Sequence, residues 1–412
     1  MTETLVSVIV VSRGRPDALI RCLMGIEQLY HQSFEVIVVA DPVGLAAVSQ
    51  ARFDGRIKAI PFDQPNISAA RNLGLMTAAG DVVAFIDDDA VPEPTWLGFL
   101  TQPFDDDRIA CAGGYVRGRN GISFQNTART VDATGQHNDL PLSGDDPQVF
   151  TAKPGLAIKT EGTNCAFRRD VLLAMGGFDR AFPFYMDETD VNLRLAADGR
   201  KTAIVPLAQV HHGFAASDRR QASRMPRSLF DIGASQIVLL RKHALGVDHA
   251  AVLQQVRIGQ KARLIRHMVA GTCEPRDVAA MLLTLEAGFA AGQSRKVPTA
   301  TALIAKNIPF LQFEPRVRFK DMICLGGRLW NSGAVRRRAA QMVSRGQRVS
   351  IFLFTATALF HRVKFSADGV WEQAGGLWGK SDRMDPLIAF WRSSSRLKRE
   401  MARVSCTRTE NS

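Results

Sequence analysis

Three carboxylates, Asp87, Asp88 and Asp89, close the apolar run "VVAFI" with no basic residue next to them in the chain. Adjacent negative charges repel, so something must offset them. In an extended segment residues two apart share a side, which places Asp87 and Asp89 together. Such a pair suits a hard divalent cation, Mg2+ or Mn2+; a solvated acidic turn is the competing reading. Asp88 points the other way, as a supporting residue.

Three more stretches carry candidate chemistry. In "NISAARNLG" Arg71 and Asn72 sit one helical turn beyond Asn66. A guanidinium there can pair with a carboxylate or a phosphate, or form a plain surface ion pair. In "FYMDETDVNLRL" Asp187, Glu188 and Asp190 crowd a helix start. The helix dipole favours ionised acids at that end, and a carboxylate general base is the functional alternative. Asp190 and Arg194, spaced i and i+4, suit a structural ion pair. His211 and His212 follow a strand-like segment. A histidine becomes a ligand candidate only where it meets the aspartates in space.

Elements of alternating type must position these residues. "LVSVIVVS" (Leu5–Ser12), "FEVIVVA" (Phe34–Ala40), "RIKAIPF" (Arg56–Phe62) and "DVVAFID" (Asp81–Asp87) read as strands. "DALIRCLMGIEQLY" and "NISAARNLGLMTAAG" read as helices, the second capped by Asn66 and closed by Gly80. Strand–helix alternation predicts a mostly parallel sheet covered by helices. Ligands bind at the carboxyl ends of such strands, so Ser12, Arg13, Asp41 and Asp87 to Asp89 should converge. Residues 113–160 lack periodicity and read as a long irregular segment, an active-site loop among the options. Beyond Ala244 amphipathic helices take over, with a strand signal in "GQRVSIFLFTATALFHRVKF".

The bulk composition sets limits. The chain has 412 residues, 46% hydrophobic and 22% charged, a globular balance. Six cysteines, far apart and without a CxxC pair, argue against a zinc site or disulfide framework. The longest uncharged apolar stretch, Val349 to Phe360, is short of the about 20 residues a spanning helix needs. "MTETLVSVIVVSRGR" lacks the features of a signal peptide. These point to a soluble or peripheral protein on the cytoplasmic side, with the inner face of the membrane as a candidate station. Charge is uneven: residues 1–240 hold 23 basic and 28 acidic side chains, residues 241–412 hold 29 and 12. The basic half suits anionic lipid, a phosphorylated acceptor or an acidic polymer. No helix-turn-helix, zinc-finger or RNP pattern points to nucleic acid.

Seven segments in order resemble the family 2 glycosyltransferases of the GT-A fold, of the bacterial type that builds envelope and other polysaccharides. They are "VSVIVVSRGRPDAL", "FEVIVVAD", "NISAARNLGL", "GDVVAFIDDDAVPEPTWL", "EGTNCAFRRDVLLAMGGFD", "DETDVNLRLAADG" and "PLAQVHHG". The resemblance covers roughly residues 5–215. It implies an α/β architecture, a Rossmann-like mixed sheet flanked by helices, as a catalytic domain over 1–244. A basic extension over 245–412 would be mainly helical, with a strand pair near 347–366.

The resemblance also implies inverting transfer of a sugar from a nucleoside diphosphate donor to the hydroxyl of a sugar, glycolipid or polysaccharide. Asp41 then matches the acid that reads the nucleotide base, and Arg71 the arginine near the nucleotide. Ser12, Arg13 and Asp88 join them around the donor. Asp87 and Asp89 match the outer members of the DxD motif, which with Mn2+ or Mg2+ holds the diphosphate, and His212 completes that site. Glu188 matches the usual base, with Asp187 as the other candidate because the acid pair is inverted. Ala40 replaces the usual first acid after the second strand, and Pro42-Val43 the usual Gly-Ser. No QxxRW motif is present, which argues for single-sugar addition. Trp371, Glu372 and Trp378 are candidates for an acceptor groove, or for an aromatic packing cluster. A nucleotidyltransferase on a related sheet and a non-catalytic scaffold of polysaccharide assembly are the competing functions.

Overall fold

A computed structural model describes residues 4–213, 221 and 223–410. The β-branched run near the N-terminus is β1 (Val6–Ser12), followed by α1 (Pro16–Ile26). Then come β2 (Phe34–Ala40), α2 (Pro42–Gln50), β3 (Lys58–Pro61), α3 (Ile67–Thr77) and β4 (Val82–Asp87). Asn66 caps α3 as expected, its side chain accepting from the Ala69 N–H. The acidic triplet turns the chain into β5 (Ala90–Pro92) and α4 (Trp96–Thr101), and β6 (Ile109–Arg117) follows.

The stretch read as irregular holds short strands: β7 (Phe124–Asn126), β8 (Arg129–Asp132), β9 (His137–Asp139), β10 (Gln148–Thr151) and β11 (Leu156–Lys159). Each is too short to show periodicity in sequence. Regular elements resume with β12 (Asn164–Arg168), α5 (Arg169–Ala174), α6 (Asp187–Ala197) and β13 (Lys201–His212).

The main sheet runs β10-β13-β6-β12-β4-β1-β2-β3, with β5 beside β13 and β7 beside β6. β1 pairs parallel with β2 and β4, while β12 runs antiparallel between β4 and β6. This is the expected mixed sheet flanked by helices. Its two faces follow the period-2 alternation of strands. Val8, Val36 and Ala84 face α1, α2 and α4, with Leu19, Val48 and Trp96. Ile9, Ile37 and Phe85 face α3, α5 and α6, with Leu75, Leu172 and Leu195.

Three helices come next, α7 (Phe230–His243), α8 (His249–Val269) and α9 (Pro275–Ser294). The irregular segment 295–319 then returns to the first unit, where the Leu311 N–H donates to Glu35 and Phe313 packs on Phe34. A second α/β layer follows: β14 (Lys320–Arg328), α10 (Ser332–Ser344), β15 (Gln347–Thr355), β16 (Arg362–Phe365) and β17 (Trp371–Gly376). α11 (Ser393–Arg408) closes the described chain. The two strands expected near 347–366 do form, but not as a pair. The order is β14-β15-β17-β16, so β17 lies between them. Only β15 has an unbroken apolar run; β14 and β17 carry glycines and polar residues that hide them in sequence. Among the described residues no helix is long and apolar enough to cross a membrane.

Candidate active site

Strand register brings the candidates to one edge. Val11 lies opposite Val39 in β2 and opposite Asp87 in β4, so Ser12, Asp41 and Asp87 leave the sheet together. After β1 the chain turns at Gly14, whose φ of +67° suits glycine. The Gly14 N–H donates to Asp41 Oδ2 (2.9 Å), and the Gly44 N–H to Asp41 Oδ1 (3.0 Å). Asp41 thus caps α2 and fixes the turn after β1.

The partner of the acidic triplet is Arg15, which the sequence reading did not single out. Its guanidinium lies 2.5 Å from Asp88 Oδ1 and 3.1 Å from Asp89 Oδ2. Asp88 is fully buried and also accepts from Ser12 Oγ (2.6 Å). Burial pushes the Asp88 carboxyl up to about 7 against the pull of Arg15, and the neighbouring acids add to the rise. Burial works against the Arg15 charge, but Asp88, Asp89 and Asp87 more than restore it. Arg13, by contrast, lies outside the cluster, on Asp63 at the exposed rim (3.0 Å).

Asp87 and Asp89 do share a side. Asp87 accepts from Thr163 Oγ1 and lies 3.3 Å from Arg71 Nη2. Asp89 Oδ1 is 3.1 Å from His212 Nε2. His212 Nδ1 is 3.1 Å from Gln125 Oε1, and Nε2 is the ring nitrogen turned to the aspartates. Imidazole ligands are commonly oriented in this way. One ligand atom each from Asp87, Asp89 and His212 lie within 4.8 Å of one another. Two carboxylate oxygens and one imidazole nitrogen fit Mn2+, and the oxygens fit Mg2+. A cleft of roughly 100 Å³ opens beside Asp89 and His212, walled by Arg21 and by Val363 of β16.

Arg71 is buried beneath this group. It pairs with Asp187, reaches Asp87, and donates to the Gly162 carbonyl (3.0 Å). A Cβ on Gly162 would sit 2.5 Å from the guanidinium, so glycine makes room for it. Burial opposes the Arg71 charge, but Asp187 and Asp87 raise its pKa well above the usual value. Asn72 does not reach the site; it holds the backbone of Phe178 at 2.8 Å in both directions.

Tyr185 and Met186, at φ of 71° and 67°, swing the chain so that α6 begins at the crevice. Such left-handed residues cost about 1–3 kcal/mol each. Asp187 is buried under Arg71, whereas Glu188 is partly exposed and held by Lys159 Nζ at 2.5 Å. Burial pushes Asp187 up to about 7 against the pull of Arg71. Burial would raise Glu188 too, but Lys159 holds it down at about 2. Asp190 makes the expected pair with Arg194 (2.8 Å) and also binds Lys242 and His243 of α7.

His211 is a packed residue. Its Nε2 meets the buried Glu93 carboxylate at 2.7 Å, and Arg408 of α11 grips the same carboxylate at 2.8 Å. Trp371 packs against His211 at a tilt of 57° and lies under the Arg408 guanidinium. Of the two sequence readings for Trp371 and Glu372, packing holds for Trp371, which is core, and Glu372 pairs with Arg336 of α10. Sequence reasoning missed Arg15, Lys159, Thr163, Glu93 and Arg408. Lys159 and Thr163 flank Glu161 in "IKTEGTN" and Arg15 ends "SRGR", so position beside a motif was the available signal; Arg408 offered none.

A family model described as glycosyltransferase like family 2 matches residues 3–230. An O-antigen biosynthesis protein of Myxococcus xanthus is 27% identical over 233 residues, 53% of this chain and 18% of that protein. A glucosyl-dolichyl phosphate glucuronosyltransferase of Haloferax volcanii is 33% identical over 113 residues, 27% of this chain and 34% of that protein. The chain thus spans well under two thirds of the length of either relative. Among solved structures, a mannosyltransferase of Pyrobaculum calidifontis in complex with GDP-Man and Mn2+ aligns at 17% identity. Its TM-score is 0.43, over 71% of this chain and 88% of that one.

Proposed function

The chain belongs to glycosyltransferase-like family 2, whose model spans more than half of it, and from that premise we propose an inverting, non-processive transfer. A sugar would pass from a nucleoside diphosphate donor to an acceptor hydroxyl on a sugar, glycolipid or polysaccharide. The observation that carries this reading is the meeting of Asp87, Asp89 and His212 at the strand ends, with Arg71 linking Asp87 to the acid pair of α6.

Asp87, Asp89 and His212 are the residues that would hold Mn2+ or Mg2+. A divalent ion bound there supplies neutralisation of the charge that develops on the departing diphosphate. The chain's own residues do the rest. Ser12, Arg13 and Asp41 are the proposed contacts to the nucleotide, with Arg13 reaching it only by leaving Asp63, and Asp88 would support the metal-facing acids from behind. Arg71 fixes Asp87 and Asp187 in one frame. Glu188, partly open to solvent and held ionised by Lys159, takes the proton of the acceptor hydroxyl; Asp187 is its competitor for that role. Inversion needs the hydroxyl to attack opposite the leaving group, which a single carboxylate base serves. The polysaccharide setting, the cytoplasmic side and contact of the basic half with an anionic membrane belong to the same proposal.

A thermal-shift screen of UDP, dTDP, GDP and CMP sugars, with and without Mn2+, tests it. Ligands that bind the native state raise apparent stability by mass action. We expect one donor to stabilise the chain in a metal-dependent way, and Asp89→Ala to lose that shift. No donor shift in any combination, or unchanged turnover in Asp89→Ala, sinks the reading.

A further inference from the structure

We propose that one rim of the C-terminal sheet, the C-terminal ends of β14, β15 and β17, docks on an anionic lipid bilayer. This rests on the membrane part of the function proposed above and gives it a surface. The three strands are mutually parallel, with Arg328 opposite Phe354 and Thr355 opposite Gly376, so all three end at one edge. After β14 the chain presents Leu329 and Trp330, and after β15 it presents Leu359 and Phe360. After β17 come Met384, Leu387, Ile388 and Phe390. These side chains are 57% to 92% exposed. Single exposed apolar residues are ordinary, but a rim of them marks an interaction surface.

The last two segments form one continuous surface. The Gly376 N–H donates to the Leu359 carbonyl (2.8 Å) and the Trp378 N–H to the Thr357 carbonyl (3.1 Å). The Ala389 N–H donates to the Trp378 carbonyl (3.1 Å), and the Trp378 and Phe390 rings lie 6.0 Å apart. The opposite end of the sheet is already occupied. Arg348, near the start of β15, binds the carbonyls of Gln28 (2.6 Å) and Leu29 (2.8 Å), and Gln28 binds the Gly369 carbonyl just before β17. The apolar rim therefore lies at the other end of β15 and β17 from this seam, while β16 packs along the first unit through Val363.

Charge selects the occupant. Arg362, Lys380, Arg383 and Arg392 stand in the same segments. Their acidic neighbours are Asp382 and Asp385, and Asp385 is already paired with Arg399. Aromatic and aliphatic side chains ringed by Arg and Lys match a bilayer surface with anionic headgroups, where each basic residue adds attraction. A second copy of this chain would bring the same positive charge to the contact.

The test is flotation of the full chain with vesicles of phosphatidylglycerol and phosphatidylcholine, against phosphatidylcholine alone, at low and high salt. We expect binding to the anionic vesicles that weakens with salt. Trp330→Ser/Phe360→Ser/Phe390→Ser should lower it at least tenfold, and Arg383→Glu/Arg392→Glu should lower it independently. Both variants should keep the melting temperature and the donor-induced shift of the parent, since none of these residues touches the site. Equal binding by parent and variants, or no binding by the parent, overturns the proposal. So does concentration-dependent self-association of the parent that the triple variant loses while neither floats. Loss of the donor shift in the parent would instead count against the transferase reading, leaving flotation to judge the rim.

Discussion

Two adjacent carboxylates at the head of α6 have different surroundings, and this divides their roles. Asp187 is turned inward onto Arg71, while Glu188 is partly exposed and paired with Lys159. Glu188→Gln should therefore keep donor binding and lower kcat by about 10²- to 10⁴-fold, the usual range for a general base. Asp187→Asn should weaken donor binding and stability instead, because it leaves the buried Arg71 with a poorer partner. If Asp187→Asn alone shows the kcat defect with intact binding, Asp187 is the base. Lys159 sets the pH behaviour. With Glu188 as the proposed base, the rate needs it ionised, so activity should fall as pH drops through its pKa, which Lys159 holds at about 2 against burial. In Lys159→Met burial remains and the largest opposing influence is gone, leaving Asp187 and Arg71 alone against it, so the acid limb of kcat/KM should move to higher pH. Profiles of parent and variant from about pH 4 to 8 check this; superimposable acid limbs would remove Lys159 from the account. The meeting of Asp87 and Asp89 was legible from residue type and spacing, and that of His212 with them only through the family resemblance. The Arg15–Asp88 contact was not, since nothing in a linear sequence relates a turn after β1 to a triplet after β4.

At the scale of elements, β1, β2 and β4 could be read because parallel strands covered on both faces are continuous β-branched runs. β14 and β17 could not, because glycines and polar residues break their pattern, and α11 was not singled out. Yet α11 ends inside the molecule: Arg408 is fully buried and clamps Glu93, directly behind the strand that carries His212. Removing one partner of a buried ion pair typically costs about 3–5 kcal/mol. Arg408→Ala should therefore lower unfolding stability by roughly that amount in urea titration. It should also weaken Mn2+-dependent donor binding, because β5, β13 and their histidines lose a support. Glu93→Gln/Arg408→Ala should recover part of the loss by removing the stranded charge. Burial opposes ionisation of Glu93, but Arg408 and His211 hold its pKa far below the ordinary range. Its stabilising contribution is then complete above about pH 4.3, the unfolded value, and is lost as pH falls further. An Arg408→Ala variant no less stable than the parent at neutral pH would show the clamp to be dispensable.

For the whole molecule, the opposed charges of the two halves are partly spent on each other. Glu27 is buried against Arg316 (2.9 Å), Glu93 against Arg408 (2.8 Å), and Asp179 against Lys242 (2.6 Å). Segment 295–319 crosses back to Glu35 and Phe34, and Arg348 stacks on Tyr30 at 3.8 Å while binding two carbonyls beside it. Each contact joins residues before 244 to residues after it or, for Lys242, just short of it. The basic region is therefore built into the N-terminal unit rather than tethered to it. Units that share buried ion pairs and core contacts unfold together, and coincident transitions by different probes are the sign of it. We expect the full chain to melt in one transition, the same by calorimetry, far-UV circular dichroism and tryptophan fluorescence. The fluorescence is informative because Trp96 lies in the first unit and Trp330, Trp371, Trp378 and Trp391 in the second. A fragment of residues 1–244 would leave Glu27 with Arg56 alone and Glu93 without its arginine, and would uncover Phe34 and Tyr30, so it should aggregate or melt well below the full chain. Two resolved transitions, with a 1–244 fragment as stable as the first, would show that the C-terminal region is a separate domain and that its cross-contacts contribute little.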